Sequence, residues 1–319
     1  MPKWLGNRFG DMLSSGDAGG SGVFNSFDQY SKSRLDTWVQ IPLSATGGTT
    51  STPGNGYKYH FFTSPGTFTV SEAGNRGGTI DYLLIAGGGG GGNDDGGGGG
   101  AGGYVEDTGH TVTATSYPIT IGGGGAGGGS GQDGSNGTPS TGFSAVATGG
   151  GGGADSSGDG KDGGSGGGAY SNRDGRQVGD GSGYPGPAQQ GFPGGVNPEP
   201  VQPSAGGGGG AGSAGTHNLE TGDQPGGNGG IGKAAFDGDT GIPSSYGEAG
   251  PSPGRWFAGG GAGGGRTPAA SQGGVGGGGS LGNAGDTNTG GGGAGGNGAI
   301  PDRSGKSGGS GICIIRYPV

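Results

Sequence analysis

The sequence is poor in the residue types from which most protein cores and most active sites are built. It contains one cysteine and three histidines in 319 residues, and a single cysteine excludes a disulfide framework within the chain. Leu, Ile, Val and Phe together number only 40, and a chain with less than roughly 20% of these residues is suspected of disorder. No stretch of ten or more residues has helical periodicity, which excludes an α-helical fold.

Basic residues and long apolar runs are also scarce. Lys and Arg number 15 against 24 Asp and Glu, which gives a net charge of −9, and the cationic residues are dispersed along the chain. Nucleic-acid binding needs a basic patch that neutralises phosphates, so no nucleic-acid partner is expected. No apolar run approaches the 18 residues of a membrane span, and membrane insertion is not expected.

Glycine is abundant instead, with 102 residues. The chain has no Gly-X-Y period and only 19 prolines, which excludes a collagen triple helix. The longest glycine runs are Gly87–Gly92, Gly96–Gly100, Gly122–Gly125, Gly149–Gly153, Gly206–Gly210, Gly276–Gly279 and Gly290–Gly293. Such a chain is either disordered or has a core made of backbone instead of side chains.

Apolar residues are concentrated in short stretches with strand character. The predicted strands are Tyr57–Phe62, Thr67–Val70, Ile80–Ala86, Thr111–Ala114, Tyr117–Ile121, Phe143–Ala147 and Gly311–Tyr317. Thr, Val, Ile, Tyr and Phe are the residue types that a half-buried pleated surface prefers. Ser64-Pro65-Gly66 predicts a hairpin turn between the first two strands. Cys313 in the last strand is predicted to be a buried small hydrophobe.

Because strands begin and end the glycine field, the glycine runs are predicted to be folded as well. Glycine adopts the polyproline-II-type helix, with three residues per turn and about 3.1 Å rise per residue. Without β-carbons, such helices can hydrogen-bond side by side, and each bond contributes about 0.5–1.5 kcal/mol. The predicted fold is mainly β plus packed polyglycine-II helices: short β-strands flank a glycine-rich helix bundle, with essentially no α-helix.

Single alanines interrupt the glycine runs, as Ala126 and Ala262 do. They are predicted to lie on the outer face of the bundle, where one residue in three has room for a side chain. The alternative to a bundle is a flexible Gly/Ser linker.

The connectors between the glycine runs are polar and carry isolated aromatic residues. Loops on a rigid scaffold vary without damage to the core, and such loops commonly make binding contacts. The receptor-binding candidates are Tyr170, Tyr184, Phe192, Tyr246, Trp256 and Phe257. Their alternative role is to cover the ends of the glycine bundle.

The two ends of the glycine field carry a family resemblance. Ile80–Ala86 running into Gly87–Gly92, Tyr117–Ile121 running into Gly122–Gly125, and the closing stretch Gly308–Tyr317 resemble the glycine-rich domain of bacteriophage virion proteins. The resemblance covers about residues 38 to 319 and departs from the family at Cys313, where an aliphatic residue is usual. It implies a polyglycine-II bundle of the tail-fibre adhesin type, whose variable loops contact the host receptor.

Residues 1–37 form a separate piece, which is basic and aromatic at its start. This piece lacks the apolar core of a signal peptide. Its aromatic residues are Trp4, Phe9, Phe24, Phe27 and Tyr30. They predict an arm that docks on the virion, similar to the N-terminal segments of marine, cyanobacterial-type phage proteins. The alternative is an arm that folds back on its own β-region.

No motif assembles a catalytic or cofactor site. Gly227–Ala234 resembles a phosphate-binding loop, but Ala234 lacks the hydroxyl that would ligate magnesium. The aspartates keep no nine-residue calcium-binding period, and His60, His110 and His217 have no metal-type spacing. An incidental cation among the loop carboxylates is the alternative. No catalytic residue, metal site or cofactor is therefore predicted, and the protein is not expected to be an enzyme.

These observations predict a virion surface protein with two parts, an arm over residues 1–37 and a glycine-rich domain over residues 38–319. Its expected role is host recognition as a tail-fibre or adhesin-type subunit. The alternative is a capsid or tail decoration protein anchored by the arm. The expected partners are other virion proteins, further copies of the same chain, and a host surface glycan or outer-membrane protein. An ice-binding role is disfavoured because the connectors are irregular.

Overall fold

A computed structural model describes residues 41–75, 78–156, 158–170, 189–195, 204–217, 225–267, 271–298 and 303–319. Within these residues there is no α-helix, as predicted, and the helical element is a single 3-10 turn, Ala235–Asp237. The described part contains no helix with the length and hydrophobicity needed to cross a bilayer. The strands are β1 (Ser44–Thr46), β2 (Thr49–Ser51), β3 (Tyr57–Phe62), β4 (Gly66–Glu72), β5 (Thr79–Ile85), β6 (Tyr104–Thr111), β7 (Ser116–Ile119), β8 (Ser140–Gly142), β9 (Ala145–Ala147), β10 (Lys233–Ala234), β11 (Glu248–Ala249), β12 (Arg255–Phe257) and β13 (Ile312–Pro318).

Two antiparallel sheets form a small sandwich. The larger has the strand order β2-β3-β13-β5-β6 and the smaller the order β1-β4-β7. Side chains alternate between the two faces of a strand, and both faces of β13 are buried. Cys313 and Ile315 face the smaller sheet, whereas Ile312 and Ile314 face the segment that contains β10 to β12. This double burial explains why β13 is apolar at nearly every position.

Most of the sequence-predicted strands are found, but the predicted hairpin is wrong. β3 and β4 lie in different sheets, so the turn at Ser64–Pro65 carries the chain from one sheet to the other. Phe62 and Phe68 both enter the core between the sheets, and crossing over lets each strand bury one face there. The strand predicted at Thr111–Ala114 is also misplaced, because the chain pairs with β5 earlier, over Tyr104–Thr111.

The glycine segments hydrogen-bond to one another through their backbones. In Gly87–Gly92, successive N–H groups donate to Thr138, Gly309, Gly100, Ser135, Lys306 and Gly97, so that partners in the same neighbouring segment recur every third residue. The carbonyls of this run accept from three further segments, at Gly125 and Gly128, Gly150 and Gly153, and Gly293 and Gly296. Gly87–Gly92 is therefore enclosed by six other segments, and the flexible-linker alternative does not describe it.

The same pattern recurs in other interior segments. The N–H groups of residues 97–102 donate in turn to three neighbours, at Ala154, Gly206 and Gly293 and then at Gly151, Gly209 and Gly290. Residues 205–210 repeat it with three other neighbours. In these three segments every amide donates to a backbone carbonyl, so the segments satisfy these polar groups away from water without side chains.

Glycine is required in these segments because the backbones touch. A β-carbon on Gly88 would overlap the carbonyl oxygen of Gly291, and one on Gly91 would overlap that of Ala294. Gly123 is an outward-facing exception, since a β-carbon there would meet only the Thr138 hydroxyl, 3.9 Å away. Ala126 is exposed, as predicted.

The prediction that Ala262 lies on the outer face is wrong, because this alanine is fully buried. Its N–H donates to Gly279 O (2.9 Å), and its carbonyl accepts from Gly295 N (2.8 Å). Its segment is enclosed by neighbours, and the interior therefore accommodates a methyl group at this position.

The array of glycine segments has two distinct ends. The sandwich closes one of them, here called the sheet end, where Ala86 continues β5 and Gly311 precedes β13. At the opposite end, here called the loop end, Gly92 N donates to Gly97 O across the turn Asn93–Asp95. Ser130–Gly131 forms a second turn there, since Gly128 N donates to Gly91 O.

Candidate binding surfaces

The loop end is organised around the turn Asn93–Asp95. Asp94 and Asp95 have left-handed backbones, with φ of 50° and 56°. The Asp95 carboxylate is buried and accepts hydrogen bonds from Gly298 N (2.8 Å) and Arg266 Nε (2.9 Å). Charge-assisted bonds of this kind are roughly twice as strong as neutral ones, so Asp95 fixes two neighbouring connectors to the turn.

The other two residues of the turn hold one of these connectors from its far side, and they also hold one further connector. Asp94 Oδ1 accepts from Arg303 Nη1 (2.9 Å), and Asp94 N donates to Arg303 O (2.9 Å). The Asn93 side chain donates to Arg303 O (2.8 Å) and accepts from Gly131 N (3.0 Å). The turn thus ties three connectors together, because Gly298 and Arg303 flank the same one, and this makes the described part of the loop end a fixed surface.

The carboxylates nearby are engaged by protein groups. Asp133 Oδ1 accepts from Asp155 N (2.9 Å), and Asp133 Oδ2 lies 3.7 Å from Lys161 Nζ. Lys161 Nζ also donates to Gly134 O (2.8 Å). Over the described ranges no three His, Cys, Asp or Glu side chains are grouped so as to hold a metal ion.

The predicted receptor-binding aromatic residues do not form one surface. Tyr170 lies at the loop end, where segment 165–169 finishes, and it is half-buried. Phe192 lies within a glycine segment, where its N–H donates to Gly210 O (3.0 Å) and its carbonyl accepts from Gly166 N (3.0 Å). Tyr184 lies outside the described residues.

The remaining three aromatic candidates lie at the sheet end, in the segment that contains β10 to β12. Phe257 is completely buried beneath Gly247 and has no surface to offer a receptor. Tyr246 stacks on Phe61, with ring centroids 4.3 Å apart. The Trp256 ring lies over Gly250, and its Nε1 donates to Ser252 O (3.3 Å). All three side chains therefore make contacts within their own protein.

A partly buried ion-pair cluster joins this segment to the sandwich. Arg316 of β13 donates from Nε to Asp81 Oδ2 (2.9 Å) and from Nη1 to Asp239, while its guanidinium lies 4.3 Å from the centre of the Phe236 ring. Tyr59 Oη also donates to Asp239 Oδ2. Burial opposes ionisation of Asp239, but hydrogen bonds from Tyr59, the Gly241 amide and Arg316 hold its pKa below the ordinary value.

The same cluster perturbs Tyr59. Burial and the hydrogen bond to Asp239 raise the pKa of Tyr59 to about 12. Sequence reasoning missed this cluster because Asp81, Asp239 and Arg316 are far apart along the chain and share no motif. The arm candidates Trp4, Phe9, Phe24, Phe27 and Tyr30 lie outside the described residues.

In this architecture a β-sandwich closes one end of a hydrogen-bonded array of glycine segments. It defines a class of protein in which packed backbone replaces much of the usual core of side chains. The chain belongs to the glycine-rich domain family, whose model matches residues 62–318. The match begins at the end of β3 and finishes in β13, so it takes in all the glycine segments. Among curated proteins, no relative matches the sequence.

Proposed function

We propose that the glycine segments are polyglycine-II helices and that together they form a rigid display scaffold. The three-residue recurrence of hydrogen-bond partners along Gly87–Gly92 supports this, because a polyproline-II-type helix has three residues per turn. The six neighbours of that run support hexagonal packing of such helices. A segment of seven residues would then be about 22 Å long.

On this scaffold, the protein acts as a non-enzymatic phage virion surface protein, a tail-fibre or adhesin-type subunit that presents variable loops to the host cell. One observation carries the proposal: the chain enters the body at one end and presents several of its connectors at the other. Ile41 enters at the sheet end, where it exchanges two hydrogen bonds with Asn75 (both 3.1 Å). Residues 1–37 would therefore attach the sheet end to other virion proteins.

The connectors at the opposite end support a recognition surface. Besides the turns at 93–95 and 130–131, the described chain enters and leaves the ranges 196–203, 218–224, 268–270 and 299–302 near the loop end. Loops on a rigid scaffold commonly carry binding residues. The ion pairs of Asp94 and Asp95 keep the base of this surface fixed.

One observation favours the alternative, a capsid or tail decoration protein. Phe257 and Tyr246 are used inside the molecule, and of the six aromatic candidates only Tyr170 is described at the loop end. A decoration protein needs the arm and the rigid body but no receptor contact.

Adsorption blocking separates the two roles. Purified full-length protein is added to host cells before the phage whose particles carry it, and free phage is counted. Recognition predicts a dose-dependent loss of adsorption, whereas decoration predicts none. A variant lacking residues 1–37 should remain folded and still block adsorption, yet no longer join the particle. If that variant assembles normally, the docking role of the arm is wrong.

A further inference from the structure

A groove of about 500 Å³ lies on the sandwich, away from the loop end. It is bounded by the end of β6, by β7 and by the β8–β9 hairpin. Its walls are formed by His110, Tyr117, Pro118, Phe143, Ser144 and Val146. Sites for small molecules commonly have volumes of about 300–1,000 Å³ and apolar walls with a few polar groups, and this groove has both properties.

The apolar wall of the groove is pre-organised by ring contacts. Phe143 stacks on Tyr82 with centroids 4.8 Å apart, and its centroid lies 5.3 Å from that of Tyr117 and 5.5 Å from that of His110. Val146 is 52% exposed. Val146 lies at the edge of the aromatic wall, and its exposed side chain is apolar surface that a ligand could cover.

The backbone of the hairpin is strained where it meets the groove. Phe143 and Ser144 have φ of 51° and 63°, and both occupy the left-handed region in a two-residue turn that usually contains Asn or Gly. Residues persist in such conformations when the surrounding structure holds them, and they cluster at ligand sites. Here the turn buries the Phe143 ring and leaves Ser144 exposed.

Two polar groups of the groove are left without partners in the described part of the chain. His110 Nδ1 donates to Asp107 Oδ2 (3.0 Å), and its Nε2 makes no hydrogen bond within the described residues. The Ser144 hydroxyl likewise makes none within the described residues. A ring nitrogen and a hydroxyl, each able to hydrogen-bond a ligand hydroxyl, therefore lie beside an aromatic wall.

We propose that this groove binds the pyranose ring of a saccharide. A pyranose offers an apolar C–H face to aromatic and aliphatic side chains, and a fringe of hydroxyls to groups such as Ser144 and His110. A charged ligand finds no unpaired charge on the described walls, because His110 is paired with Asp107.

An extended peptide is disfavoured because the strand edges of the groove are occupied. Peptides that add to a sheet need free backbone donors and acceptors. Thr120 and Thr141 exchange both backbone hydrogen bonds between β7 and β8 (2.9 and 3.1 Å), and Val146 O accepts from Gln190 Nε2 (3.0 Å). The groove can therefore contact a ligand through its side chains, but it has no free backbone groups with which to pair an added strand.

Saturation-transfer NMR on the full-length protein tests the site with methyl α- and β-pyranosides of glucose, galactose, mannose and N-acetylglucosamine. At least one should receive saturation, chiefly at the protons of one ring face. Val146→Lys should weaken that binding by about fivefold or more, since it replaces apolar wall by charge, whereas Ile231→Lys, at a similarly exposed position (42%) outside the groove, should leave it unchanged. Ser144→Gly relaxes the turn and removes the hydroxyl, and it should weaken binding without loss of fold.

Absence of transfer to every pyranoside overturns the inference, and so does equal binding by the Val146→Lys and Ile231→Lys variants. Binding of an extended acetylated tripeptide in place of the sugars overturns it as well. The inference goes beyond the proposed function, which puts host contact at the loop end, and the failure of either leaves the other standing. If pyranosides bind and Val146→Lys protein still blocks phage adsorption as well as the unaltered protein, the groove is a saccharide site separate from host recognition.

Discussion

Gly124 lies so close to Gly308 that a β-carbon on Gly124 would overlap the carbonyl oxygen of Gly308. A β-carbon on its chain neighbour Gly123 would meet only the Thr138 hydroxyl, 3.9 Å away, so this position has room for a methyl group. Gly124→Ala should therefore destabilise the protein by about 1–3 kcal/mol, as overpacking does. Gly123→Ala should be neutral or should stabilise by up to about 1 kcal/mol, since it reduces the freedom of the unfolded chain.

Denaturant unfolding of the two variants provides the measurement, and each serves as the control for the other. Equal midpoints would mean that the glycine segments are not in backbone contact. Fast amide exchange throughout Gly87–Gly92 would lead to the same conclusion, because these amides are hydrogen-bonded.

His60 should make stability depend on pH below neutrality. Its ring is fully buried, donates to Gly47 O (2.6 Å) and lies 3.2 Å from Tyr317 Oη, and burial lowers its pKa below 6.5. As the pH falls below about 6.5, the unfolded chain binds a proton that the folded protein does not, so stability falls by up to about 1.4 kcal/mol per pH unit.

The measurement is the free energy of unfolding between pH 7.5 and 5.5. His60→Gln should flatten this dependence, whatever its effect on absolute stability, whereas His217→Gln, at an exposed position, should leave it unchanged. An unaltered slope in the His60→Gln variant would assign the effect to other groups.

The thiol of Cys313 should be inert in the folded protein. It is fully buried in β13, and burial raises its pKa, which suppresses the reactive thiolate. Because it is the only cysteine, its reaction with a disulfide reagent reports directly on opening of the sandwich. We expect a rate at least about 100-fold below that in denaturant, where full exposure restores reactivity. Val319→Cys combined with Cys313→Ala places the thiol at an exposed position and should react fast.

Arg316 and Arg303 both form ion pairs with aspartate, but in different surroundings. The Arg316 side chain is 14% exposed and pairs with Asp81 and Asp239, whereas Arg303 is 54% exposed and pairs with Asp94. Arg316→Met leaves two largely buried carboxylates unpaired and should cost about 3 kcal/mol. Arg303→Met should cost less than about 1 kcal/mol. If thermal unfolding shows that the two variants lose similar stability, the ion pairs of Arg316 contribute no more than the exposed pair of Arg303.

The sequence predicted the positions of strands, which depend on the local pattern of residues. It did not predict how strands pair when the partners are distant along the chain. The apolar closing stretch predicted β13 almost to the residue. The strands that pair with β13 could not be predicted, because they are distant in sequence: Cys313 pairs with Phe62 on one side and with Leu84 on the other. The mistaken hairpin at Ser64–Gly66 has the same origin, since the turn residues are identical whether the two strands pair or cross between sheets.

The glycine field carries even less positional information. The strands at both ends of the field predicted that the runs are structured, yet identical residues cannot specify which run lies beside which. The buried position of Ala262 was missed for that reason. The aromatic candidates do not lie together, because Tyr246 and Phe257 pack within the protein at the sheet end. No local feature of the sequence distinguishes them from Tyr170.

The three-residue recurrence along Gly87–Gly92 also limits how such a chain can change length. If one glycine is removed from an enclosed segment, every later residue of that segment turns toward a different neighbouring segment. Each of these residues then loses its former hydrogen-bond partners. Removal of three returns each remaining residue to its former face and shortens the segment by one turn. Insertions and deletions inside these segments should therefore come in threes, while the connectors are free to gain or lose any number of residues.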